Sequence, residues 1–261
     1  MPPPERKEGI SAVSDAVTKF ICKHKILPDS WVTDAATNKK VPIEIYLLKT
    51  LRHPNIVQVM DVFENQTFYQ LVMIKHGSGM DLFEFIDRRP HLDEPLTSFI
   101  FRQIVSAVFY LHGLGLVHRD LKDENVIIDE HFKCKLIDFG SAAYFQPDHV
   151  FSTFCGTIEY CSPEVLSGNK YVGPELEMWC LGILLYTLVY GENPFSSARE
   201  TIKCELEPPW DTSEGLWNLI CLLLHPNPEL RIDIQNLSVH FWLKQSVDIH
   251  NYKLEDVLTY Y

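Results

Sequence analysis

The hydrophobic and polar positions of this chain follow two different periods. Apolar residues alternate with polar ones, or form short unbroken runs, at 16–22, 56–63 and 68–73. Such runs are typical of β-strands, and the polar residues 64–67 between the last two predict a β-hairpin. Farther along the chain, apolar residues recur mainly at helical spacing. The pattern therefore predicts an α+β fold with strands near the N-terminus and helices after them.

Three segments are predicted to be helices. The run at 41–51 has apolar residues at helical spacing, and Pro42 suits a first helical turn. The run at 96–112 is amphipathic. The run at 178–190 contains no charged residue, is too short to cross a bilayer and suits a buried central helix. The apolar residues that define the first two helices are Ile43, Leu47, Leu48, Leu51, Ile100, Ile104, Val108 and Leu111.

The ends of the chain differ in character. Residues 1–15 are polar and rich in proline, which predicts a disordered leader, and they lack the apolar core of a signal peptide. The predicted strands lie between residues 16 and 75, whereas the pattern after residue 76 is mainly helical.

Composition narrows the setting of the protein. The chain has 261 residues, of which 46% are hydrophobic and 22% charged, as is ordinary for a globular protein. Its seven cysteines form no C-x-x-C pair, which favours reduced thiols in a cytosolic or nuclear setting. A formal charge of −12 argues against nucleic acid or an anionic membrane as a partner and suits basic peptides.

Three short motifs carry the candidate chemistry. H-R-D at 118–120 is followed by Asn125, five residues after the aspartate. D-F-G follows at 138–140 and S-P-E at 162–164. Any one of these triplets occurs by chance, but their order and spacing together resemble those of protein kinases. The resemblance implies phosphoryl transfer from ATP with Mg²⁺ as the metal. It also implies a two-lobe α+β fold, with a small lobe at 16–75 built on the predicted sheet and a larger, mainly helical lobe at 76–261.

The resemblance assigns a role to each polar residue of these motifs. Asp120 is expected to orient a substrate hydroxyl, while oxygens of Asn125 and Asp138 hold Mg²⁺. A lysine two residues after the aspartate, here Lys122, is the form of the catalytic loop found in serine/threonine kinases. It would neutralise charge on the moving phosphoryl group. Thr157 would hydrogen-bond Asp120 and shape the site for an aliphatic alcohol. The alternative for Thr157 is an ordinary turn threonine.

Five longer runs narrow the resemblance to one family. From about Val17 to the end, the chain resembles the catalytic domain of PAS-domain-containing serine/threonine kinases. The resemblance implies that its partners are protein substrates. The runs that carry it are 76–83, 101–103, 136–144, 154–161 and 173–179.

The resemblance also predicts scaffold contacts. Arg231 is expected to pair with Glu164 through a bidentate guanidinium–carboxylate contact. Glu177 stands where most kinases have an aspartate that holds the backbone of the catalytic loop, and it reaches one methylene further. An internal hydrophobic column is expected from Leu48, Val59, His118 and Phe139.

The phosphate side of the nucleotide site is predicted in the small lobe. Alternation places Lys19 on one face of its strand with Val17 and Ile21. By resemblance to kinases, Lys19 has the V-A-I-K-like position, from which its ammonium would meet the α- and β-phosphates. The alternatives are a solvated edge lysine, or Lys23 or Lys25 in this role. Glu44 is the sole carboxylate between residues 34 and 61, so it is the predicted partner of Lys19. Otherwise Glu44 is a solvated helix glutamate.

The adenine side is predicted at the boundary of the two lobes. Met73 falls at the gatekeeper position, and the backbone carbonyl of Ile74 and the amide of His76 would face the adenine. Ile127 would lie beneath the base. Asp81 is a candidate for the ribose hydroxyls, with a helix N-cap as the alternative.

The segment before Lys19 departs from the kinase pattern. Gly9 is the single glycine upstream, and no G-x-G-x-x-G occurs there to cover the ATP phosphates. We therefore expect a truncated, partial small lobe whose first strand lacks a partner on one side. Two hypotheses remain: an active protein serine/threonine kinase, or a kinase-shaped binding module impaired in catalysis. The substrate loop around Thr157 disfavours small-molecule phosphotransfer.

Two positions bear on substrate choice and control. Glu124 stands where basophilic kinases place an acid to bind a substrate arginine; otherwise it faces solvent. Thr153 has the spacing of an activating phosphorylation site, and Arg119 could pair with its phosphate. Because no lysine or arginine lies between residues 140 and 164, we expect phosphorylation to be possible but not required. Aromatic packing is expected to hold this loop, through Phe151, Phe154 and Tyr160.

Overall fold

The protein has a two-lobe α+β architecture. The computed structural model describes residues 16–26, 30–34, 36–146 and 150–258. The predicted leader at 1–15 lies outside the described residues. Within them, the longer strands precede residue 75 and all the α-helices except one, at 43–50, follow it, which confirms the predicted fold class.

The N-terminal lobe is built on a three-stranded antiparallel sheet. Its strands are β1 (Ala16–Cys22), β4 (Val59–Glu64) and β5 (Phe68–Ile74), and β5 lies in the middle. The predicted hairpin joins β4 to β5, but its first strand begins later than expected. Ile56 instead forms a single bridge to Leu136 of the C-terminal lobe, since the backbone there pairs across the lobe boundary.

A second, two-stranded sheet was not predicted from the sequence. It consists of β2 (Trp31–Asp34) and β3 (Lys39–Pro42), and helix α1 (Ile43–Thr50) follows directly. Pro42 was predicted to lie in the first helical turn. It lies instead at the N-cap of α1. Its backbone is still extended there because it pairs with Trp31 in the sheet.

The C-terminal lobe packs around a buried central helix. This helix, α5 (Gly173–Tyr190), is longer than the predicted run. Gly191 follows it and takes the left-handed conformation common at helix C-termini, at φ +72°. Helix α3 (Glu94–Gly113) packs against it and buries the predicted apolar face. The remaining helices are α2 (Leu82–Asp87), α4 (Pro163–Leu166), α6 (Ala198–Lys203), α7 (Glu214–Leu223), α8 (Ile234–Val239) and α9 (Leu254–Val257).

Two small strand pairs frame the motif loops. β6 (Leu116–Val117) pairs with β9 (Ala143–Tyr144), and β7 (Val126–Ile128) pairs with β8 (Cys134–Leu136). The H-R-D loop leaves β6 and enters β7, whereas the D-F-G loop leaves β8 and enters β9. The two pairings therefore place both loops side by side between the lobes.

Two further observations concern the whole molecule. All seven cysteines lie among the described residues, and each has a free thiol. Across the described part of the chain, none of the helices has both the length and the apolar character needed to cross a bilayer.

Candidate active site

Asp120 lies at the centre of the H-R-D loop with its carboxylate engaged on both sides. The Asn125 side-chain amide donates to the Asp120 backbone carbonyl at 2.7 Å and to its Oδ2 at 2.9 Å. The Thr157 hydroxyl donates to Oδ1 at 3.3 Å. The substrate loop and the H-R-D loop, 37 residues apart in sequence, thus meet at one carboxylate.

Lys122 lies beside this carboxylate. Its Nζ is 4.0 Å from Asp120 Oδ2 and 3.4 Å from Glu124 Oε1. Glu124 is half exposed and faces this lysine. The arrangement places one cation next to the carboxylate, where a developing negative charge could be neutralised.

Lys19 is held between two carboxylates. Its Nζ lies 2.6 Å from Glu44 Oε1 and 3.0 Å from Asp138 Oδ1. Burial opposes the charge on Lys19, but attraction by Glu44 and Asp138 outweighs it and raises the pKa of Lys19. Neither Lys19 nor Glu44, which is only 5% exposed, is the solvated surface group of the alternative interpretation.

The two carboxylates around Lys19 respond differently to their surroundings. Burial raises the pKa of Glu44 despite the attraction of Lys19. Burial also acts against the charge on Asp138, but there the Lys19 ammonium and a hydrogen bond from the Gly140 amide prevail and lower its pKa. Asp138 is therefore the more strongly ionised of the two, and its side chain is 44% exposed toward the space between the lobes.

The D-F-G segment is locked by its neighbours. Asp138 has a left-handed backbone at φ +60°, a conformation that costs energy in a residue other than glycine. Phe139 is fully buried and its ring lies 4.9 Å from that of His118, edge to face. Leu48 is buried and Val59 is partly buried against the core; their stacking with His118 and Phe139 in one column stays a prediction.

The segment between the lobes is anchored by His76. Its Nε2 donates to the Lys133 carbonyl at 2.8 Å and lies 3.6 Å from Asp129 Oδ2. Gly77 follows at φ +53°, and a Cβ there would approach the Cβ of Asp129 to 2.7 Å. Ile74, the last residue of β5, is partly exposed. The side chain of His76 thus orients the backbone that was predicted to face adenine.

Asp81 caps helix α2. Its Oδ1 accepts a hydrogen bond from the Glu84 amide at 2.7 Å, which is the N-cap that was the alternative to a ribose contact. Ile127 lies in β7, where its backbone forms an isolated bridge with Asp81. The cap uses only Oδ1, so Oδ2 of Asp81 could still accept a hydrogen bond from a ribose hydroxyl, and that contact stays a prediction.

Two predicted scaffold contacts are present. Arg231 donates from both terminal nitrogens to the two oxygens of Glu164, each at 3.0 Å, so the pair is bidentate. Glu177 Oε1 accepts hydrogen bonds from the backbone amides of His118 and Arg119, at 2.5 and 2.8 Å. The additional methylene of glutamate therefore still allows it to hold the H-R-D backbone.

Sequence reasoning missed two residues near these contacts. Nε2 of His112 lies 2.7 Å from Oε2 of Glu177; the two residues are 65 positions apart, so no local pattern joins them. Tyr171 stacks on Phe151, with ring centroids 5.5 Å apart, and its hydroxyl donates to the Thr153 carbonyl at 3.0 Å. No local pattern marks Tyr171.

Two open cavities adjoin the site. One, of about 340 Å³, lies between β1 and the start of α1 and is lined by Lys19, Glu44 and Gly140 among others. The second, of about 430 Å³, lies next to Thr157 and Tyr160. Five carboxylate residues line the second cavity: Asp87, Asp123, Glu124, Glu159 and Glu192.

Comparison with known proteins agrees with this geometry. Residues 10–243 match the family described as protein kinase domain. The chain is 55% identical, over 93% of its length, to the PAS domain-containing serine/threonine-protein kinase of Mus musculus, of which it covers 18%. It is 41% identical to serine/threonine-protein kinase ppk6 of Schizosaccharomyces pombe, over 88% of the chain and 30% of that protein. It is 39% identical to serine/threonine-protein kinase PSK2 of Saccharomyces cerevisiae, over 87% of the chain and 21% of that protein.

The family resemblance inferred from the motifs is confirmed by these relatives. All three are named as serine/threonine kinases, and the chain spans between 18% and 30% of their length.

Proposed function

We propose that this chain, which belongs to the protein kinase family, transfers the γ-phosphoryl group of ATP to serine or threonine hydroxyls of protein substrates. One observation carries the proposal: the Lys19 ammonium bridges Glu44 and Asp138 at 2.6 and 3.0 Å. Such a bridge draws a strand, a helix and the D-F-G loop to one point. An ammonium at this point is suited to bind nucleotide phosphates.

Nucleotide binding is assigned to residues from both lobes. Lys19, positioned by Glu44, would contact the phosphates. The His76–Lys133 contact supports a fixed backbone at Ile74 and His76 for the adenine. The remaining candidates are Ile127 beneath the base and Asp81 at the ribose. The end of β5 at Ile74 also supports a lobe boundary between 75 and 76.

The donor set fits Mg²⁺. Asp138 and Asn125 offer carboxylate and amide oxygens, the hard ligands this ion prefers, and Mg²⁺ usually keeps several waters when bound by so few side chains. The Asn125 amide nitrogen is already engaged by Asp120, which leaves its carbonyl oxygen for a metal. The lowered pKa of Asp138 keeps that carboxylate ionised at neutral pH. When bound, the ion would offset the negative charge of the phosphates.

The transfer itself relies on the H-R-D loop. The Asp120 carboxylate would orient the substrate hydroxyl and accept its proton as the hydroxyl oxygen bonds to phosphorus and the bond to the leaving diphosphate breaks. Lys122, close to Asp120, would neutralise charge on the moving phosphoryl group. Thr157, hydrogen-bonded to Asp120, would shape the site for an aliphatic alcohol.

Basic protein segments are the proposed substrates. The acidic cavity beside Thr157 and the formal charge of −12 both favour them, and the charge speaks against nucleic acid or an anionic membrane as partners. The free thiols support a cytosolic or nuclear setting. The alternative of a catalytically impaired binding module draws no support from the described residues.

Radiolabelled phosphate transfer tests the proposal. With Mg²⁺-ATP and a basic serine peptide, the wild-type chain is expected to phosphorylate the peptide, and Asp120→Asn to lower the rate by about 10² or more. Asp61→Asn, an exposed change on the sheet, serves as control. A wild-type chain that binds ATP but transfers nothing would favour the binding module. If Asp120→Asn phosphorylated the peptide at the wild-type rate, the proposed mechanism would be wrong.

A further inference from the structure

We infer that Tyr252 is a positioning residue for basic peptide substrates and acts through Phe132 on helix α2; the inference rests on the proposed kinase function. Tyr252 belongs to the C-terminal segment at 244–258, which follows the residues matched by the protein kinase family at 10–243. A chain of side-chain contacts leads from this segment to the acidic cavity beside Thr157.

The C-terminal segment lies along the first half of α3 and is tied to it at two places. The Arg102 guanidinium donates to the backbone carbonyl of Gln245 at 3.2 Å. The backbone amide of His91, just before α3, donates to the carbonyl of Val257 at 2.9 Å. Val257 is buried. The segment is therefore packed against the lobe over most of its length, and Tyr252 lies between the two ties.

Tyr252 makes one polar and one aromatic contact. Its hydroxyl donates to Oδ2 of Asp93, the N-cap of α3, at 2.6 Å. This hydrogen bond, together with burial, raises the pKa of Tyr252 to about 12, so the hydroxyl stays a donor at neutral pH. The ring lies edge to face against Phe132, with centroids 6.5 Å apart. The hydroxyl thus orients the ring that packs on Phe132.

Phe132 depends on its neighbours for its conformation. It lies in the loop between β7 and β8 with a left-handed backbone at φ +57°, which is unfavourable for a bulky side chain. Its side chain is fully buried, and Nε2 of Gln103 donates to its carbonyl at 2.8 Å. Its second aromatic contact is Phe85, edge to face at 6.4 Å. Loss of packing on Phe132 should therefore shift Phe85 as well.

Phe85 connects this aromatic chain to the acidic cavity. It is the fully buried residue of α2, a helix of only six residues. Three other residues of α2, with Asp87 among them, line the acidic cavity. Because so short a helix moves as a unit, the packing of Phe85 determines where the Asp87 carboxylate lies. Tyr252 therefore affects how the cavity receives a cationic side chain.

Tyr252→Ala should weaken peptide recognition without slowing the chemical step. It leaves a void beside Phe132, and we expect KM for a basic serine peptide to rise about fivefold. The value of kcat should stay within about twofold, because Asp120 and Thr157 are untouched. A matched peptide with glutamine at its basic positions should keep its KM within about twofold, since it offers no cation to Asp87. An unchanged ratio of the two KM values would overturn the inference.

Two further variants separate the ring contact from a general loss of packing. Tyr252→Phe keeps the ring on Phe132 and should keep the KM ratio within about twofold of wild type. Tyr110→Ala is the matched control, because this partly buried tyrosine of α3 contacts His53 and Arg52 instead. If Tyr252→Phe or Tyr110→Ala changed the KM ratio as much as Tyr252→Ala, the proposed path through the ring would be wrong.

A double variant tests whether Tyr252 acts through Asp87. Asp87→Asn should itself raise KM for the basic peptide, because it removes a carboxylate from the cavity. In Tyr252→Ala/Asp87→Asn, the rise in KM should be at least about twofold smaller than the product of the two single effects. Effects that simply multiply would show that the two residues act independently and would overturn the inference.

Peptide binding without ATP distinguishes this inference from the proposed function. Fluorescence anisotropy of a labelled basic peptide should give a Kd about fivefold weaker for Tyr252→Ala and near wild type for Tyr252→Phe. That result in a chain that phosphorylates nothing supports the positioning role while the proposed function fails. Equal affinities in a chain that does phosphorylate the peptide overturn the inference alone, and a wild-type chain that does not bind the peptide overturns both.

A substitute variant covers a failure of Tyr252→Ala to fold. Tyr252→Leu retains apolar volume beside Phe132 but lacks the aromatic edge. A KM ratio raised by about twofold or more in Tyr252→Leu supports the inference, and an unchanged ratio overturns it.

Discussion

At the scale of single residues, the Lys19 site shows that burial determines how strongly two opposite charges interact. Lys23, which follows β1 directly, forms another close pair with Glu64 at the end of β4; their Nζ and Oε1 atoms are 2.5 Å apart, but Glu64 is largely exposed. Exposed pairs contribute little because water and salt screen them. Glu44 is buried, so its contact with Lys19 is screened less. The two pairs form a natural comparison.

We expect Glu44→Gln to raise KM for ATP about tenfold, since Lys19 would lose a buried charge-assisted hydrogen bond that positions it. Steady-state kinetics with varied ATP would measure this. Glu64→Gln is the matched control and should change KM by less than about twofold. Equal effects of the two changes would show that the Lys19–Glu44 contact does not position the nucleotide.

At the scale of elements, one glutamate ties three parts of the C-terminal lobe together. Glu94, at the start of α3, accepts hydrogen bonds from the amide and hydroxyl of Ser213, the N-cap of α7. It also accepts from the Trp242 indole at 2.8 Å. Burial acts against the charge on Glu94, but these hydrogen bonds outweigh it and lower its pKa below the ordinary 4.5.

Glu94→Gln should therefore destabilise the protein at pH 7 by about 1–2 kcal/mol, because the amide cannot accept all three hydrogen bonds. A carboxyl whose pKa is lowered on folding stabilises above its ordinary pKa and loses that effect as pH falls through the folded value. The free energies of unfolding of wild type and variant should therefore differ less below pH 4.5 than at pH 7. Urea unfolding across pH, with exposed Glu214→Gln as control, would measure it; a difference independent of pH would contradict the assignment.

The loop after D-F-G is held by contacts that do not need a phosphate. The Arg119 guanidinium lies over the Phe151 ring at 5.1 Å, and its Nε donates to the Ser141 carbonyl. Tyr171 binds the backbone carbonyl of Thr153, not its side chain. Arg119, the expected phosphate partner, is therefore already engaged, in agreement with the expectation of aromatic packing.

Thr153→Ala should accordingly keep turnover within about threefold of wild type, since the backbone carbonyl that Tyr171 binds is retained. A peptide phosphorylation assay would measure this. A loss of more than about tenfold, roughly 1.4 kcal/mol of barrier, would mean that a phosphate on Thr153 is required. Tyr171→Phe is the companion variant, because it removes the hydroxyl that holds the loop and should cost more than Thr153→Ala.

At the scale of the whole molecule, the two lobes differ in how much apolar surface they bury. The outer face of the N-terminal sheet leaves Phe20 and Phe63 59% and 44% exposed. Among the described residues, β1 pairs with β5 alone, so its second edge has no strand beside it there. By contrast, α5 is buried along almost its whole length. The N-terminal lobe should be the less stable of the two.

Native-state hydrogen exchange in low urea would test this difference. We expect amides of β1 to exchange through local opening at a lower free energy than amides of α5, which should need global unfolding. Equal opening free energies for both would show that the lobes unfold as one unit.

Local pattern determined much of this protein from sequence alone. The spacing of H-R-D, Asn125 and D-F-G identified the loop residues, because neighbours in a short loop stay close whatever packs around them. Periodicity located α3, since it reports which face of a helix is buried, and a run without charged residues located α5. Glu44 could be singled out because few carboxylates were available nearby.

Tertiary structure decided what local pattern does not encode. The β2–β3 sheet and the Tyr171–Phe151 stack depend on neighbours that the sequence does not mark. His112 and Glu177 are 65 residues apart and meet only because α3 and α5 pack behind the H-R-D loop. A pattern of apolar positions specifies that a face is buried, but the partner of a buried polar group depends on which helix arrives there. That is why the motif residues were visible in the sequence and the His112 partner of Glu177 was not.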